Sequence, residues 1–171
     1  MSRAAPTPFA DFLGRVDEVE GGLRRAAASG RCGGLTAPDE PSGERWEVGQ
    51  VWAHLAEFVP YWIGEARLVI AANSDVPVPF GRVKTDAGRI SAIDERRHES
   101  VGVLAAKTAA DVRVLRSLLR EVDRDPANWS RVGLHSKLGE MTITSAVEEF
   151  LVGHLEEHLR QLDGLREQSN P

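Results

Sequence analysis

A chain of 171 residues, 42% hydrophobic and 27% charged, is long enough to bury a core unaided, and its single cysteine, Cys32, excludes an intrachain disulfide. The net charge of −5 excludes the basic balance of a nucleic-acid binder. No apolar run reaches the length of a membrane span and MSRAAPTPFADFLGRV holds no apolar signal core, so the expectation is a cytoplasmic protein with no membrane or nucleic-acid partner.

Four stretches carry helical periodicity and none carries clear strand alternation. The first helix is predicted near 8–29, opened by Thr7-Pro8, with Phe9, Phe12, Leu13, Val16, Val19 and Leu23 on one stripe and Gly21-Gly22 weakening it. A loop at 30–45 follows, marked by Gly30, Gly33, Gly34, Pro38, Pro41 and Gly43. The second helix spans 46–73, with Val51, Leu55, Phe58, Trp62 and Val69 inward and Pro60 predicting a kink or local break. Residues 74–88 read as a loop long enough to cross a bundle, which lets helices two and three run parallel. The third helix spans 89–122 on Ile90, Ile93, Val101, Leu104, Leu115, Leu118 and Val122, with Arg97, Thr108 and Asp111 on or near the same face. After a third loop at 123–141, Thr142 caps a fourth helix that runs to 166 on Ile143, Val147, Phe150, Leu151, Leu162 and Leu165. Four one-sided helices bury their stripes most economically as an all-α four-helix bundle, with residues 1–171 as a single domain.

Three histidines interrupt these stripes. His154 and His158 form an H-x-x-x-H pair in the fourth helix, one turn apart on one face, and His54 lies at the edge of the second-helix stripe. Buried imidazoles in a helical core find few backbone partners, because helical carbonyls are already used; a shared divalent metal satisfies them together. Three imidazoles without a thiolate select zinc, nickel, iron or a similar transition metal over magnesium or calcium, and leave coordination positions open. Glu57 and Glu157, each three residues after a histidine, are candidates for a further ligand or a base, and Gln161 faces inward beside the pair. Arg97 is a candidate clamp for a substrate carboxylate, and Tyr61 and Trp62 are candidate pocket walls. Cys32, in SGRCGG, shows neither a base nor a cationic neighbour and reads as an incidental thiol. His98 and His135 read as exposed, without a role.

Two segments, WEVGQVWAHL at 46–55 and HSKLGEMTITSAVEEFLVGHLEEHLRQL at 135–162, resemble in order and separation the DinB/YfiT-like superfamily. The resemblance implies a four-helix bundle of up-down-down-up order, with a long crossover between helices two and three. It implies a divalent metal held by His54, His154 and His158. Relatives include the N-terminal domains of mycothiol-dependent maleylpyruvate isomerases, so it also implies a low-molecular-weight thiol, mycothiol or bacillithiol, as co-substrate. The reaction would then be S-transfer or isomerisation of a small electrophile, with Arg97, Tyr61 and Gln161 binding the organic partners and a homodimer as an open assembly. Two alternatives stand beside it: metal-dependent hydrolysis with Glu57 or Glu157 as base, and a non-catalytic metal-binding or dimerisation module.

Overall fold

The predicted stripes lie on helices and are mostly buried, with Ile90 half exposed and Phe9 and Leu13 partly so. The computed structural model describes residues 7–40, 42–72, 74 and 76–169; the expected helix end at Asn73 and the loop residue Pro41 lie outside the described residues. Helix α1 (Phe9–Ala28) buries Phe12, Val16, Val19 and Leu23. Thr7 does not cap it; its hydroxyl donates instead to Asp123 at 2.6 Å. Gly22 does more than weaken the helix, because a Cβ there would lie 2.4 Å from Leu159 and so block the approach of the last helix. Helix α2 (Val48–Ala72) runs through Pro60 without a break. At its start the Glu47 N–H donates to the Gln50 side chain at 3.1 Å, which supplies the cap that Glu47 itself does not.

The expected third helix is two. Helix α3 (Ala87–Arg96) begins at Asp86, whose carboxylate accepts the Arg89 N–H at 2.8 Å. Helix α4 (Val101–Asp123) begins at Ser100, whose extended backbone (φ −65°, ψ 142°) and hydroxyl bond to Val103 N–H start a new element. The last helix is interrupted differently. Thr142 caps α5 (Ile143–Val147) as expected, by accepting the Ser145 N–H. A wide π turn at Glu148–Val152 follows, and then α6 (Gly153–Ser169).

Two of the expected loops contain strands. β1 (Val78–Phe80), β2 (Val132–His135) and β3 (Gly139–Thr142) form a small sheet in the order β1-β2-β3, parallel and then antiparallel. Strands of three or four residues are too short to show alternation, and Pro79 reads as a strand breaker unless the strand is an edge, as β1 is. The parallel pairing matters for topology. It sets the strand after α2 beside the strand after α4, running the same way, as parallel α2 and α4 in an up-down-down-up bundle require. The buried core is one cluster drawn from every helix, with Leu104, Leu115, Leu118, Leu151, Leu155 and Leu165 at its centre. Among the described residues no helix is long and apolar enough to cross a membrane.

Candidate metal centre

The π turn delivers the histidine pair. An added Cβ on Gly153 would sit 2.7 Å from the Glu148 carbonyl oxygen, so a glycine is what lets the wide turn close directly before His154. Beyond it, Leu155, His158, Leu162 and Leu165 continue the buried stripe of α6. His54 reaches the same point from the second turn of α2, and both His54 and His158 are almost wholly buried.

The three side chains meet through their Nε2 atoms. His54 Nε2 lies 2.8 Å from His154 Nε2, and His158 Nε2 lies 2.9 Å from it. The outward nitrogens decide the proton positions. His54 Nδ1–H donates to Glu57 Oε1 at 3.2 Å, and His158 Nδ1–H donates to Gln161 Oε1 at 2.8 Å. Both Nε2 atoms are therefore lone-pair donors aimed inward. His154 can offer one Nε2 proton at most, so at least one of these nitrogen–nitrogen contacts sets lone pair against lone pair. A cation between the rings relieves both contacts. Two imidazole ligands on a tetrahedral zinc lie about 3.3 Å apart at the usual zinc–nitrogen length, half an ångström wider than the contacts here, so small ring adjustments suffice. The donor set fits a divalent transition metal, and among the described residues His54, His154 and His158 alone form such a group.

The surroundings hold the imidazoles neutral. Burial lowers the His54 pKa, and the positive charge its two neighbours could carry lowers it further. His154 is lowered by burial and then by His158. Burial takes His158 down to about 4, against the opposing effect of Gln161. Phe58 stacks on His154 with centroids 3.8 Å apart, and Trp46 lies parallel to His158 at 6.1 Å and edge-on to His54 at 5.1 Å. Glu57 is itself fixed by the Arg82 guanidinium, and burial raises its pKa while Arg82 opposes the rise. This is the carboxylate–histidine arrangement that orients a ligating ring.

One side of the cluster is open. A cavity of about 130 Å³ meets His54, His154 and His158 and is walled by Trp46, Gln161, Glu157, Lys84 and Arg89. A second, of about 220 Å³, reaches His54 and His154 past Phe58, Trp62 and Phe150. Glu157 is half exposed at the mouth of both, its carboxylate 4.0 Å from His154 Nδ1.

Of the residues read as binding the organic partners, Gln161 lines the cavity and holds His158. Tyr61 lies beneath the Arg82 guanidinium, 3.9 Å from its ring centroid, and lines neither cavity. Burial raises its hydroxyl pKa to about 12. Arg97 also lines neither cavity; Glu47 takes it at 2.7 Å. His135 is buried rather than exposed, beside the stacked rings of Trp62 and Phe150. His98 is exposed, and the Cys32 thiol lies 3.8 Å from the Gly30 carbonyl. The sequence reading missed Arg89, Lys84, Arg82 and the role of Trp46. For Arg89 a signal existed: it precedes Ile93 by four and shares its inward face, whereas Ile90 is half exposed.

The family model of the DinB superfamily matches residues 23–162. No curated protein matches the chain in sequence. Solved structures do match in fold. One is YfiT from Bacillus subtilis, described as a probable metal-dependent hydrolase with an unusual four-helix bundle topology. It has a TM-score of 0.70 and 18% identity, over 98% of this chain and 92% of that one. Another is an uncharacterised protein from Escherichia coli UTI89, with a TM-score of 0.68 and 12% identity, over 99% and 98% of the two chains.

Proposed function

The chain belongs to the DinB superfamily, and from that premise we propose that it is a divalent-metal-dependent enzyme using a low-molecular-weight thiol. Its reaction is S-transfer to, or thiol-assisted isomerisation of, a small electrophile. The observation that supports the metal is the meeting of three inward Nε2 atoms on neutral imidazoles, of which His54 and His158 are buried and His154 partly so. His54, His154 and His158 hold the ion, which is zinc, nickel or iron by the softness and number of its donors. A divalent ion there supplies Lewis acidity and lowers the pKa of a thiol or water that shares it.

The chain's own residues supply the rest. Glu57 and Gln161 keep the His54 and His158 protons on Nδ1. Trp46 and Phe58 fix the ring planes and keep water from the buried side. Glu157, at the cavity mouth, is placed to take the proton of an incoming thiol. Cavities of about 130 and about 220 Å³ fit small reactants. The thiol itself is supported by the likeness to mycothiol-dependent relatives.

Hydrolysis is the second reading. It is favoured by the position of Glu157, whose carboxylate has no lysine or arginine within ion-pairing distance among the described residues and lies 4.0 Å from the neutral His154 ring, so that it could serve a water as well as a thiol. The description of Bacillus subtilis YfiT as a probable metal-dependent hydrolase points the same way. Metal analysis of the purified protein comes first, then calorimetric titration of the zinc-loaded protein with N-acetylcysteine. Thiol binding that His154→Ala abolishes, with conjugation of a chloronitrobenzene electrophile, is the expected result. Zinc uptake without thiol binding, accompanied by ester cleavage, moves hydrolysis ahead. A protein that takes up no divalent metal ends both readings.

A further inference from the structure

Arg89 is a buried cation with no anion. It is 7% exposed, at the start of α3 on the face of Ile93. Its Nη1 donates to the Lys84 carbonyl at 3.0 Å, and its Cζ lies 5.5 Å from the centre of the Trp46 ring. No carboxylate comes within ion-pairing distance of it among the described residues. The acids nearby are committed elsewhere or stand off. Glu57 is held by Arg82 and His54, Asp39 by Lys84 and Ser42, and Glu44 lines the same cavity without pairing. Arg82 and Lys84 add charge of the same sign. A guanidinium cannot shed its proton to escape this position, and a buried charge without a partner is costly unless something binds to it.

Both cavities that reach the histidines also reach Arg89. Trp46 stands between, stacked on His158 and beneath the guanidinium. With Nη1 occupied by Lys84, the Nε–Nη2 edge is the remaining fork, and two parallel N–H groups match the two oxygens of a carboxylate. We infer that Arg89 is the anion receptor of this site and that the substrate is a small carboxylic acid, its carboxylate on Arg89 and its reacting end at the three histidines. This deepens the proposed function and rests on it for the reacting end only.

The experiment separates the two. Zinc-loaded wild-type protein is titrated calorimetrically with mercaptoacetate and with its uncharged twin mercaptoacetamide, and the ratio of affinities is compared with that of Arg89→Gln. Glutamine keeps a polar side chain but carries no charge. Any preference arising from chelation of the metal is common to both proteins, so the change in the ratio reads Arg89. The expected change is about tenfold or more, with zinc affinity unaltered and Arg89→Lys intermediate. Equal binding of acid and amide by the wild type, or an unchanged ratio in Arg89→Gln, overturns the inference. If Arg89→Gln does not fold, Arg89→Lys and the wild-type ratio decide. If the protein takes up no zinc, the metal reading fails by itself. Acetate against acetamide on the metal-free protein, followed by tryptophan fluorescence, then decides Arg89: a response to acetate alone sustains the inference and equal responses overturn it.

Discussion

Two groups of buried histidines lie in this molecule, both against stacked aromatic rings, and they differ in what their nitrogens face. His135 is held on both sides by backbone. Its Nε2–H donates to the Arg82 carbonyl at 3.1 Å, and its Nδ1 accepts the N–H groups of Lys137 and Leu138 at 3.2 and 3.1 Å. It closes the turn between β2 and β3, and nothing is left over. His54, His154 and His158 satisfy their outer nitrogens where a partner is present and turn the inner ones on each other. Burial and aromatic stacking are common to both groups, so neither marks a ligand. The distinguishing property is a lone pair with no donor in front of it, because a buried polar atom must be satisfied by something.

Alanine at His154 and at His135 tests that distinction most directly. His154 touches both other histidines, so His154→Ala should weaken zinc binding by more than about 100-fold, beyond what loss of a merely supporting residue costs. Its effect on the metal-free fold should be small or even stabilising, since one unfavourable nitrogen contact disappears. His135→Ala should do the reverse. It opens a space beside Trp62 and Phe150 and strands two backbone N–H groups, for a loss of about 2–3 kcal/mol in chemical denaturation. Its zinc stoichiometry, measured by calorimetry, should remain that of the wild type. A His135→Ala protein that folds fully but has lost its metal would erase the contrast.

Acid sharpens the comparison through stability. His158 titrates near 4 in the folded chain, against about 6.5 when unfolded, and His54 and His154 move in the same direction because burial resists their charging. Between those two pKa values the unfolded chain binds more protons than the folded one, so acid favours unfolding. The metal-free protein should therefore lose stability as pH falls from about 6.5 to about 4, by up to about 1.4 kcal/mol per pH unit from His158, with His54 and His154 acting in the same direction. Denaturation curves from pH 7 to pH 4 measure the slope, and His154→Ala should flatten it. A slope that the substitution leaves intact would place the acid-sensitive groups elsewhere.

How much of this could be read from the chain follows from range. The histidine triad was legible because His154 and His158 are related by helical geometry and His54 shares the inner face of a neighbouring helix. The four stripes were legible for the same reason, and Thr142 announced its helix by its own side chain. The break at Ser100 carried a local signal, but the apolar period on either side of it ran on and masked it. The strands were not legible, since three or four residues show no period and β1 exists only because β2 lies beside it. His135 was misread because its partners, Arg82, Trp62 and Phe150, come from three other segments. Arg89 was overlooked beside Arg97 for a related reason. The sequence reading placed only Arg97 near an inner face, and only the fold shows that Glu47 pairs with Arg97 while no carboxylate among the described residues pairs with Arg89.

That contrast yields the smallest expected effect. Arg97 caps the end of α3, about a quarter exposed, with Glu47 at 2.7 Å and Asp94 at 3.8 Å. Ion pairs so open to solvent contribute little, because water screens them and ordering two long side chains costs entropy. Arg97→Ala should lower stability by less than about 1 kcal/mol, a loss that diminishes in high salt as the pair is screened. Zinc affinity and the preference for mercaptoacetate over its amide should both stay at wild-type values, since neither cavity touches the side chain. Arg89→Gln is the counterpart, with a similar loss of charge but from a position facing the histidines. If Arg97→Ala reduced the acid preference as Arg89→Gln is expected to, the anion would be held by the field of several cations rather than by one buried fork. Calorimetry of the two variants side by side distinguishes a field from a contact, because only a contact loses its effect when one residue is changed and keeps it when the other is.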